Sequence, residues 1–229
     1  MGVFNSLLKL FYPELCSGCG QSLLRGEKTI CLSCMLKIAR TDYHTFSDNP
    51  VAKLFYGKIN IKNATTMCFY DKGGLMQHLL HQLKYRNNFN VGLFLGKQLG
   101  KCLSEAELYK DIDVIIPIPL HKKKLKKRGY NQSKIIADGF VQAFPLPIYE
   151  DVLVRIEFTE TQTKKNRWDR YQNVKDMFAI NNPEKIEGKH VLLIDDVITT
   201  GATIEACAKH LLSVDGVQVS IASIASPAR

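Results

Sequence analysis

The chain has 229 residues, 45% of them hydrophobic and 23% charged, with 31 Lys and Arg against 22 Asp and Glu and a formal net charge of +9. Those proportions suit a soluble globular protein and exclude a disordered or collagen-like one. No apolar run approaches the roughly 20 residues that a membrane-spanning helix requires.

Met1 to Phe11 reads as a short amphipathic segment with Phe4, Leu7, Leu8 and Phe11 on one face. It lacks a basic start and a small-residue cleavage site, so a cytoplasmic location is expected. Next come Cys16-x-x-Cys19, eleven residues, and Cys31-x-x-Cys34. Two knuckles this close suit four thiolates around a tetrahedral Zn²⁺, and with no position left for water the zinc would be structural. Without a secretory leader, disulfides are not expected. These features divide the chain into a zinc-binding module over 1–45 and a main domain over 46–229.

Residues 41–60 read as a polar connection, and 64–70 as a strand closed by an Asp71–Gly74 turn. Leu75, Leu79, Leu80 and Leu83 recur at helical spacing, and a second helix is expected over about 91–103. A buried strand over 113–119 ends in prolines at Pro117 and Pro119, before a helix over about 131–144. Short strands are expected near 148–154 and 178–180, another at 190–194, and a last one over 217–224. Cys68, Cys102 and Cys207 lie in apolar segments and read as core residues. Strands alternating with helices predict an α/β fold with an open, twisted, mainly parallel sheet, whose ligands bind beyond the carboxyl ends of the strands.

The run Val191-Leu-Leu-Ile-Asp-Asp-Val-Ile-Thr-Thr-Gly-Ala-Thr203 carries the chemistry. Four apolar residues lead to two acids, Asp195 and Asp196, and then to a loop of Thr199, Thr200, Gly201, Ala202 and Thr203 that opens a helix over Ile204, Ala208 and Leu211. Such a loop offers a phosphate main-chain N–H groups, hydroxyl donors and a glycine that lets the backbone come close. The acids can take sugar hydroxyls or position a hydrated Mg²⁺, so a phosphorylated sugar is the expected ligand. The pattern resembles the motif with which type I phosphoribosyltransferases bind phosphoribosyl pyrophosphate (PRPP).

The charge is local. Lys122, Lys123, Lys124, Lys126, Lys127, Arg128 and Lys134 supply seven of the nine net charges within 121–134, with no acid among them. The Ile116-Pro-Ile-Pro119 turn that precedes them resembles the pyrophosphate-gripping loop of glutamine PRPP amidotransferases. Arg128 is the best single candidate for that grip, because a guanidinium binds phosphate bidentately. The five lysines at 122–127 read either as a solvated face or as a nucleic-acid patch. Lys84, in the Gln82-Leu-Lys-Tyr-Arg86 helix end, and Arg167 and Arg170, in a long polar loop over 159–173 that suits a lid, are further phosphate candidates.

Together these segments resemble the ComF (GntX-type) family over nearly the whole chain: the four-cysteine module, Leu-Lys-Tyr, Ile-Pro-Ile-Pro-Leu with Arg-Gly-Tyr-Asn-Gln, Thr-Gln-Thr-Lys, and the PRPP motif. The resemblance implies a type I phosphoribosyltransferase fold with a zinc module, and a cytoplasmic role in the uptake of single-stranded transforming DNA alongside the uptake machinery or a helicase. It leaves turnover undefined. One reading is an active Mg-PRPP-dependent phosphoribosyltransferase of nucleotide metabolism with an unknown acceptor. The other is a binding protein whose basic run, with Tyr85, Tyr130, Trp168 and Tyr171 interleaved, holds single-stranded DNA.

Overall fold

The computed structural model describes residues 13–156 and 177–228. The amphipathic reading of Met1 to Phe11, Arg167, Arg170, the 159–173 loop, Trp168 and Tyr171 lie outside them.

Apolar strands that must satisfy every backbone group while buried on both faces pair in parallel under helices. Here β1 (Ala64–Phe69), β2 (Val114–Pro117), β5 (His190–Val197) and β6 (Gln218–Ser226) form one parallel sheet in the order β1-β6-β5-β2. A parallel bridge between Ile115 and Ile148 extends it beyond β2. The strand expected near 148–154 is thus split. Ile148 joins this edge, whereas β3 (Leu153–Arg155) pairs antiparallel with β4 (Phe178–Ile180) as a separate ribbon.

Strand alternation sends Leu192 and Ile194 to one face of the sheet and Val191 and Leu193 to the other. The first face carries α2 (Leu75–Tyr85), α3 (Phe89–Ser104) and α5 (Gln132–Phe140), which bury Leu79, Leu83, Leu95, Leu99, Ile136 and Phe140. The second carries α6 (Ala202–Leu211), which buries Ile204, Ala208 and Leu211 as its periodicity predicts. The cysteine module, with its short helix α1 (Leu32–Leu36), packs against the first core, to which Cys16, Cys31 and Cys34 belong.

Two expectations are corrected, and the basic run takes a definite form. The 41–60 segment is not a polar connection: Val51, Ala52 and Phe55 are buried, folded around a fully buried Asn49. The Asn49 side chain donates to the carbonyls of Phe46 (3.0 Å) and Ala64 (2.8 Å), and accepts from the amides of Val51 and Ala52 (3.0 Å each). The basic run forms helix α4 (Lys122–Arg128), which the sequence did not suggest. His121 caps its start through Nδ1, and Gly129, at φ +84°, ends it in the left-handed conformation that glycine adopts without strain. Finally, β5 does not stop at residue 194: Asp195 and Val197 stay in register with Ser223 and Ala225 of β6, so the acid pair lies within the strand.

α3 and α5 approach so closely that a Cβ on Gly96 would stand 2.0 Å from the Ile136 carbonyl oxygen. Backbone cannot retreat as a flexible side chain can. Gly96→Ala should therefore cost about 1–3 kcal/mol or more, read as a lower urea midpoint. An unchanged midpoint would mean that the two helices are not in this contact.

Candidate functional site

The site lies at the carboxyl ends of β2 and β5. The Ile118 amide donates to the Ile194 carbonyl (3.0 Å), carrying the Pro119 turn past the acids. Asn131 then does two things: its Nδ2 donates to the Ile118 carbonyl (3.0 Å), and its Oδ1 caps α5 by accepting from the Ser133 amide (3.1 Å). The start of α5 is thereby clamped to the end of β2, and Ser133 Oγ donates to Asp195 Oδ1 (3.0 Å). The Asp196 amide donates to the same oxygen (2.8 Å).

Asp196 continues the Leu192–Ile194 face of β5 and is buried. A buried carboxylate without compensation is costly, and Lys84, from the last turn of α2, forms an ion pair with it. Asp195 is half-buried. Burial, with the Asp196 charge beside it, pushes its carboxyl up to about 7, although the Asp196 amide and Ser133 act in the opposite direction. The pair therefore differs in environment: one acid is held against a cation, and the other is poised to hold a proton.

Beyond β5 the chain turns through Thr199 and Thr200, both exposed, into Gly201. This glycine is required twice: its φ is +78°, and a Cβ there would meet the Phe55 ring at 2.9 Å. Phe55 thus forms the floor of the bend, while Thr200, Ala202 and Thr203 face solvent at the start of α6. The Thr200 hydroxyl accepts from the Ala202 amide at 3.4 Å.

Arg128 is half-buried and already engaged. Its guanidinium lies 5.5 Å from the centroid of the exposed Tyr85 ring and donates to Gln132 Oε1, one residue before Ser133. Pyrophosphate would have to compete with both partners. Lys122, Lys123, Lys124, Lys126 and Lys127 are exposed and have no ion-pair partner among the described residues. Tyr130 is no stacking platform, because its ring packs edge-on to Phe89 at 4.6 Å and its hydroxyl donates to the Leu83 carbonyl. Ser133 and Phe55 escaped the sequence reading, and Gln132 was read only as part of the Arg-Gly-Tyr-Asn-Gln motif. The Asn131-x-Ser133 cap is the one local signal that pointed to any of them.

In the second cluster, the Sγ atoms of Cys16, Cys19, Cys31 and Cys34 all lie within 4.8 Å of one another. A tetrahedral zinc with Zn–S near 2.3 Å asks for sulfurs about 3.8 Å apart, and Cys19 and Cys31 stand at 3.7 Å. Burial pushes the Cys16 thiol up, but amide hydrogen bonds from Cys31, Cys19 and Gly18 outweigh it and bring it down to about 6. Burial and the neighbouring sulfurs push the Cys34 thiol up. Four thiolates this close need a cation, so the cluster is fit to hold a metal ion. Cys68 and Cys207 are fully buried and Cys102 partly so, as expected of core cysteines.

Because folding raises the Asp195 carboxyl above its unfolded value, the folded state favours the proton. The resulting stability is complete at low pH and is lost as pH rises through about 7. Asp195→Asn, which carries no charge, should therefore raise thermal stability at pH 8 by about 1 kcal/mol or more and change it little near pH 3, where the carboxyl is protonated both folded and unfolded. Equal effects at both pH values in melting experiments would contradict the arrangement.

The phosphoribosyl transferase domain model matches residues 125–229, a span that contains the acid pair and the bend. The chain is 30% identical over 224 residues to Competence protein F of Haemophilus influenzae, covering 91% of this chain and 96% of the relative. It is 26% identical over 208 residues to DNA utilization protein YhgH of Escherichia coli, covering 90% and 87%, respectively. It is also 26% identical over 202 residues to Competence protein ComFC of Bacillus subtilis, covering 83% and 80%. With its parallel sheet of the type I phosphoribosyltransferase kind and a four-cysteine cluster near the N-terminus, the chain belongs to the competence protein F (ComF) family.

Proposed function

We propose that the protein binds PRPP at the acid pair and bend, and serves in the cytoplasm in the uptake and use of single-stranded transforming DNA. The observation that carries the ligand reading is the lysine-compensated pair Asp195–Asp196 beside an exposed hydroxyl-bearing bend at the C-terminal edge of a parallel sheet. Thr199, Thr200, Gly201, Ala202 and Thr203 would take the 5-phosphate, and Asp195 and Asp196 the ribose hydroxyls. Lys84, Arg128 and the Pro119 turn stand where a pyrophosphate extending from the sugar would meet cations and backbone, with Arg167 and Arg170 as further candidates.

A pair of carboxylates at a strand end is the donor set that a hydrated Mg²⁺ accepts. Asp195 and Asp196 would hold it through water, and when bound it would neutralise part of the pyrophosphate charge. Zinc is the ion proposed for Cys16, Cys19, Cys31 and Cys34, as a structural centre. The DNA-related role rests on relatives whose names are Competence protein F, Competence protein ComFC and DNA utilization protein. Single-stranded DNA would lie along Lys122, Lys123, Lys124, Lys126 and Lys127, whose exposed charges suit salt-sensitive phosphate contacts. A DNA-uptake protein or helicase would then be a natural partner.

Calorimetric titration should show binding of PRPP with magnesium to the unmodified protein and at least about tenfold weaker binding to Asp195→Asn/Asp196→Asn, in line with the loss of one or two charge-assisted contacts. Equal affinity would remove the acids from the site. Replacing the five lysines with Gln should weaken single-stranded DNA binding for every sequence tested, and flatten its salt slope by about 0.7 per lost phosphate contact. An unchanged slope would remove α4 from the DNA path.

A further inference from the structure

We propose that the four-cysteine centre governs how tightly the acid-pair site binds its ligand, through Gln82 and Asn88 acting as positioning residues for Lys84. This rests on the reading above that the acid pair and the bend hold PRPP.

The connection begins inside the first knuckle. Ser17 stands between Cys16 and Gly18, with its amide donating to the Thr29 carbonyl (2.8 Å). The backbone around it winds about one sulfur, as the amides of Gly18 and Cys31 donate to Cys16 Sγ at 3.3 and 3.2 Å. The other polar groups of Ser17 reach out to the end of α2. Its carbonyl accepts from Gln82 Nε2, and its hydroxyl accepts from Asn88 Nδ2 at 3.1 Å. Asn88 also donates to Gln82 Oε1 at 2.8 Å, which closes the three residues into one network. Gly18 adds an apolar contact at the other end of the helix, where a Cβ would stand 2.8 Å from Cys34 Sγ and 2.9 Å from Leu75 Cδ1.

The knuckle therefore touches α2 at its first residue and in its last turn. Lys84, two residues beyond Gln82, sends its ammonium to Asp196. The residues around it are committed too: the Leu83 carbonyl to Tyr130 and the Tyr85 ring to Arg128. A metal ion that gathers the four sulfurs fixes the Ser17 backbone. Without it nothing gathers the four sulfurs, the knuckle opens, and the Ser17 carbonyl leaves Gln82. The last turn of α2 then loses its outer anchor, and with it the fixed direction of Lys84. Coupling of this kind is reciprocal: the ion tightens PRPP binding by the factor by which PRPP tightens the ion.

The test uses the full zinc-loaded chain. Adding PRPP and magnesium to the unmodified protein should slow zinc transfer to a chromogenic chelator, and this protection should disappear in Gln82→Met and Asn88→Ala. In equilibrium binding, Gln82→Met should weaken PRPP by at least about fivefold, the low end of ordinary coupling between sites. Stripping zinc from the unmodified protein should cost a similar factor, and stripping it from Gln82→Met should cost little more, because both changes cut the same link. Multiplying effects, or zinc release indifferent to PRPP, would overturn the inference while leaving the PRPP site intact. Failure of the unmodified protein to bind PRPP would overturn the site reading and this inference together.

Discussion

Two ionisable carboxyls in the last positions of a strand covered on both faces constrain the molecule more than any other feature. A buried charge survives only beside a counter-charge or a hydrogen-bond donor, and the chain meets this need from two directions. Lys84 comes from the end of α2 on one face, and Ser133 comes from the start of α5. Each helix terminus is in turn fixed by a polar group: Tyr130 on the Leu83 carbonyl, and Asn131 on the Ile118 carbonyl and the Ser133 amide. The arrangement keeps Asp195 above the usual carboxylate range, so the site costs stability at neutral pH. A ligand offering hydroxyls and a bound cation would repay it.

The last turn of α2 gathers this dependence into four consecutive residues. Gln82 reaches the cysteine knuckle, the Leu83 carbonyl reaches Tyr130, Lys84 reaches Asp196, and Tyr85 carries Arg128. Helical geometry makes this possible, since side chains advance by about 100° per residue and so face different neighbours. The cysteine module, the basic helix and the acid pair thus meet at one turn of backbone. Phe55, beneath Gly201, brings the segment before β1 into the same site.

Much of the fold was legible because its elements are amphipathic or uniformly apolar. Leu79 and Leu83 on α2, Ile136 and Phe140 on α5, and Val191 to Ile194 on β5 are buried as their spacing predicts. Helix α4 was hidden, since Lys122–Arg128 has no apolar periodicity and depends on caps at His121 and Gly129. The extension of β5 through Asp195 and Asp196 was hidden because acids usually mark the end of a buried strand, whereas here β6 continues the ladder beside them. The buried 41–60 segment was masked by its polar composition, which conceals Asn49 as an internal ligand for six backbone groups. In the site, the motif residues could be named from sequence, but their partners could not. Lys84 with Asp196, and Ser133 with Asp195, are distant in the chain and meet only through packing.

In the proposed function, the acids and the bend from Thr199 to Thr203 form one cradle for a phosphorylated pentose. A crystal structure grown with PRPP and magnesium tests it most directly. The 5-phosphate is expected within hydrogen-bond distance of the main-chain amides at 200–203, with ribose hydroxyls on Asp195 and Asp196. A phosphate bound elsewhere, with Lys84 still on Asp196 and the bend unaltered, would contradict it.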